Sequence, residues 1–114
     1  MLKQTLSFED TAVFFKLLGD KNRLKMISLL SADDVCVCEF VELLKMSQPS
    51  VSQHLRKLKQ HGIVRERKQG QWVFYSLDQD SPYYDMALAV IRELPDAGRE
   101  LEKMKQAGLR VICK

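Results

Sequence analysis

The residues with the most chemistry to offer are two cysteines one residue apart, Cys36 and Cys38, in the stretch VCVCEF. A pair of thiolates selects soft acceptors such as Cd, Pb, Cu(I) or trivalent As and Sb. Whether both can hold one ion depends on the backbone. On a continuous α-helix, residues two apart are separated by about 200° and their thiols diverge. On an extended segment they point to the same side. The alternation in VCVC predicts a short extended segment from Val35 to Cys38, then a helix from about Glu39 to Lys45. Cys38 would then lie near the positive end of that helix, which favours its thiolate. A different reading of the same residues is that two small side chains fill a buried strand, as free cysteine often does. The third cysteine, Cys113, lies in the C-terminal stretch LRVICK. Three cysteines in such a chain do not make a disulfide framework. In a reducing compartment they would be buried, metal-binding or redox-active.

The second concentration of chemistry is charge. The net charge is only +3, but residues 54–68 carry Arg56, Lys57, Lys59, Arg65, Arg67 and Lys68 against Glu66 alone. That segment is +5 and the rest of the chain −2. A basic stripe on a near-neutral body suggests a polyanion partner, although a solvated helix face has the same composition.

The elements that must position these residues follow from local signals. At 114 residues the chain is expected to be one domain, with the 46% apolar and 29% charged residues of an ordinary globular protein. Ser7 and Gly19 bracket a first helix, with Ala12, Phe15 and Leu18 on one side and Phe14 and Leu17 widening the stripe. Asp20 caps a second helix, whose apolar face is Leu24, Ile27 and Leu30 or Met26 and Leu29. SQPS opens a further helix, capped by Ser47 or Gln48 with Pro49 in its first turn, over about 48–61. Val51, Leu55 and Leu58 give it a buried stripe, and Gly62 ends it. IVRERK and WVFYSL around Gly70 read as a β-hairpin over about 63–78, with Ile63, Trp72, Phe74 and Leu77 available for packing. SPYYDMALAVIREL then predicts a helix with an apolar face of Tyr84, Ala87, Leu88 and Ile91. Pro95 interrupts it, and a further helical stretch runs from Asp96 to Gly108.

Short helices, a tight turn and a hairpin make the expected class mainly α with a small β wing, a winged helix-turn-helix. In that arrangement the helix after SQP enters the major groove. Its outward residues are Gln48, Ser50, Ser52, Gln53, His54, Arg56 and Lys57. Gln can pair bidentately with adenine, whereas Arg56, Lys57 and Lys59 suit phosphates. In the hairpin, Arg65, Arg67, Lys68 and Gln69 could reach a neighbouring phosphate row or the minor groove. The partner would be double-stranded operator DNA. No nucleophile–base pair or phosphate loop suggests an enzyme. The N-terminal MLKQTLSFEDT lacks the layout of a signal peptide and no apolar run approaches bilayer length, which points to the cytoplasm.

The run from VCVC through SQPSVSQHLRKLKQHGIV to RKQGQWVFYSL closely resembles the ArsR/SmtB family of metal- and arsenic-responsive repressors, over roughly residues 12–93. The resemblance implies a homodimer joined through the first helix and the C-terminal helices at about 82–107. Phe14, Phe15, Leu88 and Ile91 would supply its surplus apolar surface. It further implies that Cys36 and Cys38 form an arsenite-sensing pair and that no cofactor is required. Many arsenic-responsive relatives place a third cysteine where this chain has Val41, so the third ligand is open: Cys113, in cis or in trans, or an exogenous group. Cd or Pb, with Glu39 or Cys113 completing the site, and a thiol redox switch are the alternatives. The stretch SPYYDMALAVIREL contains no histidine, which argues against the family's zinc site on the C-terminal helix.

Overall fold

The computed structural model describes residues 6–110. Its elements are α1 (Phe8–Leu18), α2 (Lys21–Ala32), β1 (Val35–Cys36), α3 (Val37–Leu44), α4 (Gln48–Gln60), β2 (Val64–Gln69), β3 (Trp72–Leu77), α5 (Tyr84–Arg92) and α6 (Gly98–Gln106). The winged helix-turn-helix is present: α3 packs on α4 and the β2–β3 hairpin follows. The short strand β1 pairs with the far edge of β3, giving an antiparallel sheet of order β1-β3-β2. No helix among the described residues is long and apolar enough to cross a membrane.

Capping side chains set the helix starts. A helix leaves its first N–H groups without intrahelical partners, and a short polar side chain just ahead of it can accept them. Ser7 accepts from the Asp10 N–H at 3.0 Å, Asp20 from Asn22 and Arg23 at 2.8 and 3.1 Å, and Ser47 from Ser50 at 3.3 Å. At the other end of α4, Gly62 takes φ 72°, and the Ile63 N–H returns to the Leu58 carbonyl. This left-handed turn suits glycine and aims the chain into the wing.

Val51, Leu55 and Leu58 of α4 are fully buried, as their spacing requires. On α2 both candidate faces are used. Met26, Ile27, Leu29 and Leu30 are all buried, because α1, α4, β3, α5 and α6 surround this helix. The first helix turns differently from its expected phase. Phe14, Leu17 and Leu18 are buried, while Ala12 is exposed and Phe15 is 55% exposed. Tyr83 provides the reason. Its ring stacks on Phe14 with centroids 5.1 Å apart, and its hydroxyl donates to the Asp10 carbonyl at 3.1 Å. Phe14 therefore belongs to the core, and the exposed apolar surface of α1 is Phe8, Val13 and Phe15. On α5, Ala87 is buried while Tyr84, Leu88 and Ile91 are half-buried.

The start of α3 also departs from expectation. The extended segment ends at Cys36, and the helix begins at Val37 rather than near Glu39. For α6 the cap position falls on Ala97, but Asp96 still accepts the Gly98 N–H at 2.9 Å.

Burial raises the Asp20 carboxyl pKa, but the N–H groups of Arg23 and Asn22 outweigh it and hold it below the usual value. Asp20→Ala is expected to cost about 1 kcal/mol at pH 7 in urea unfolding. A carboxyl with a depressed folded pKa contributes stability above its unfolded pKa and loses it as pH falls through the folded one. The gap between wild type and variant should therefore narrow in acid.

Candidate thiol switch and nucleic-acid interface

The thiols of Cys36 and Cys38 converge, with Sγ atoms 2.7 Å apart. Cys36 keeps extended backbone (φ −91°, ψ 164°) as the N-cap of α3, and Cys38 occupies the first turn. The break between strand and helix thus brings the thiols together where a continuous helix would splay them. Cys36 is buried and Cys38 is exposed, so the pair opens to solvent on one side.

Glu39 fixes this junction. Its carboxylate Oε1 accepts the Cys36 N–H at 2.9 Å, and its own N–H points back to the Cys36 sulfur, a reciprocal capping box. The carboxylate is only 1% exposed, and Arg110 Nε donates to its other oxygen at 2.6 Å. Arg110 also donates to the Asp34 carbonyl at 2.8 Å and pairs with Asp33 at 3.5 Å. Burial, the Cys38 thiol and the Glu39 charge push the Cys36 thiol up to about 12, so at neutral pH it carries its proton. Among the described residues no third His, Cys, Asp or Glu joins the pair in a metal-sized cluster. Cys113 lies outside the described residues.

The basic residues divide into two groups. On α4, Gln48, Gln53, Arg56 and Lys57 are exposed. Ser50 is engaged at the helix start, where Ser47 Oγ donates to its hydroxyl at 2.9 Å. Ser52 and His54 are half-buried. His54 does not simply face outward: Arg23 Nη1 lies 3.1 Å from its Nδ1, and Arg23 Nε donates to the Leu17 carbonyl. The contact of Arg23 with His54 was marked by no local sequence signal. In the wing, Arg65 pairs with Asp78 and Asp80 at 2.7 and 3.0 Å. Arg67 pairs with Asp34 at 3.2 Å, bonds Gln69, and lies 4.9 Å from the centre of the Phe74 ring. Lys59 is held by Glu66 at 2.7 Å. The side chains of Arg56, Lys57 and Lys68 make no hydrogen bond or ion pair among the described residues.

This arrangement matches known proteins. Residues 20–66 fit the model of bacterial regulatory proteins of the arsR family. The chain is 37% identical over 89 residues to the arsenic resistance transcriptional regulator ArsR1 of Pseudomonas putida, covering 77% of this chain and 68% of that one. It is 42% identical over 72 residues to a cadmium resistance transcriptional regulatory protein CadC homolog of Staphylococcus aureus, covering 62% and 60%. Among solved structures, reduced HlyU from Vibrio cholerae superposes with a TM-score of 0.66 at 31% identity, over 75% of this chain and 85% of that one. The chain belongs to the ArsR family of winged-helix, DNA-binding transcriptional regulators.

The split among the cations has a measurable consequence. Arg56→Ala, Lys57→Ala and Lys68→Ala should each lower the slope of log K against log salt for operator binding by about one. Arg65→Ala and Arg67→Ala should lower it by less, because Asp78, Asp80 and Asp34 already neutralise them. Equal losses across all five would show that the wing ion pairs dissolve on DNA.

Proposed function

We propose that this chain is a cytoplasmic, homodimeric repressor that leaves its operator when trivalent arsenic or antimony binds Cys36, Cys38 and Cys113. The observation that carries the reading is the convergence of two thiols at a junction both DNA-contacting elements share. Cys36 closes β1, whose residues Val35 and Cys36 pair with Tyr75 and Phe74 of the wing strand β3. Cys38 lies in the first turn of α3, which packs on α4. A disturbance at the thiols therefore reaches the recognition helix and the wing together. In the dimer, the exposed Phe8, Val13 and Phe15 of α1 and the half-buried Leu88 and Ile91 of α5 form the contact between copies. The two α4 helices then address a palindromic operator.

Binding is a ligand exchange without redox change. Each thiol gives its proton to one hydroxide of arsenous acid; one As–O bond breaks, one As–S bond forms, and water leaves. Three thiols release three waters. An ion bound by both sulfurs ties the end of β1 to the first turn of α3.

A second reading, cadmium or lead as inducer, is supported by the similarity to the cadmium-resistance regulator. Against it, both oxygens of the Glu39 carboxylate already accept hydrogen bonds, so this nearby carboxylate is a poor additional ligand.

The test is fluorescence anisotropy of the reduced protein on labelled promoter DNA at fixed salt. Arsenite or antimonite is expected to release the DNA, and Cys36→Ser or Cys38→Ser to abolish release. If those variants still respond, the thiol pair is not the sensor. The pH dependence separates the two inducers. Cadmium must displace the proton from the Cys36 thiol, so its affinity should rise about tenfold per pH unit through that residue. Arsenite carries each proton away as water, and its affinity should stay level between pH 6 and 8.

A further inference from the structure

The helix α4 carries a histidine whose proton is placed from outside the helix. Arg23, in the first turn of α2, is held at two points. Its backbone N–H is taken by Asp20 at 3.1 Å, and its Nε donates to the Leu17 carbonyl. Its Nη1 lies 3.1 Å from Nδ1 of His54. A guanidinium can only donate, so Nδ1 of His54 must accept. That leaves the single ring proton on Nε2. An imidazolium, with donors at both nitrogens, could not complete this contact. Nε2 itself makes no hydrogen bond among the described residues, whose one buried unpartnered side-chain atom is Glu100 Oε2, so Nε2 meets solvent. The other histidine of the chain, His61, has the opposite partner. Its Nδ1 lies 2.9 Å from the Lys57 carbonyl, which can only accept, so its proton belongs on Nδ1.

We infer that Arg23 is a positioning residue that holds His54 in its Nε2–H tautomer, so that α4 presents a neutral donor to a DNA phosphate. This rests on α4 as the helix that contacts DNA and specifies what one of its side chains does there. The position of His54 selects the phosphate. Val51 and Leu55 are fully buried and Gln53 and Lys57 are exposed, whereas His54 is half-buried on a flank of the helix. When a helix lies in the major groove, its outer edge meets the bases and its flanks meet the phosphate rows. A neutral donor there fixes the register of the helix without displacing a condensed counterion, so it adds affinity but no salt dependence.

The experiment has a spectroscopic arm and a binding arm, both on the full-length reduced protein. Long-range proton–nitrogen correlation spectra of protein with nitrogen-15 histidine, at pH 8, report the tautomer of each ring, and His61→Ala assigns the signals. His54 is expected as a single Nε2–H tautomer and His61 as Nδ1–H. In Arg23→Met, which has no side-chain donor, His54 should become an exchanging mixture of both forms. A wild-type His54 protonated on Nδ1, or a His54 spectrum unchanged in Arg23→Met, would overturn the proposal. On labelled promoter DNA, His54→Ala should lower affinity about tenfold while the slope of log K against log salt stays as in wild type. His54→Gln should recover part of that loss, because its amide offers a donor at similar reach. A slope lowered by about one in His54→Ala would make the ring a cation on the phosphate and contradict the proposal, as would an unchanged affinity. If Arg23→Met fails to fold, the wild-type spectrum and the two His54 variants decide. Unchanged binding in Arg56→Ala and Lys57→Ala as well would instead sink the reading of α4 as the DNA-contacting helix.

Discussion

The buried Glu39 carboxylate is the interaction on which the rest of this molecule turns. A carboxylate that is 1% exposed must be compensated, and here the compensation ties the β1–α3 junction to the segment after α6. It accepts the N–H of Cys36, which sets the cap of α3 and ends β1. It binds Arg110, which brings in the segment after α6. Removing one partner of a buried pair typically costs about 3–5 kcal/mol, because the other charge is left stranded. The thiols therefore stand where the local backbone geometry is fixed by a buried carboxylate.

The junction is shared by β1, which is hydrogen-bonded into the wing, and by α3, which supports α4. Arg67 adds a third link, joining β2 to Asp34 immediately before β1. Under the proposed function, a small change at the cysteines would act on both elements that meet DNA. Packed cores tend to be bistable, so shifts of this size can move between discrete arrangements.

The fold was legible where the signals are local. Ser7, Asp20 and Ser47 are short polar residues ahead of apolar periodicity, and each caps the helix it announces. Val51, Leu55 and Leu58 carry their burial in their spacing. The phase of α1 was not legible, because it depends on Tyr83, 69 residues beyond Phe14. The start of α3 was hidden differently. A capping box normally begins with serine or threonine, and here Cys36 takes that place with Glu39 three residues on. Read with sulfur in place of oxygen, CVCE announces the helix two residues earlier. The role of Arg23 beside His54 and that of Arg110 beside Glu39 arise only from tertiary contact. Charge likewise marked the wing cations as one group, while their pairing with Asp34, Asp78 and Asp80 could be seen only in three dimensions.

Under the proposed function, thiol occupancy and DNA binding draw on the same structural equilibrium. Its most direct test is reciprocity: the affinity of the reduced protein for arsenite, measured free and again saturated with operator DNA. Two coupled sites must weaken each other by one common factor, about 5- to 150-fold in typical allosteric proteins. Operator DNA is expected to weaken arsenite binding by the factor with which arsenite weakens operator binding. Equal arsenite affinity in the free and DNA-bound protein would contradict it.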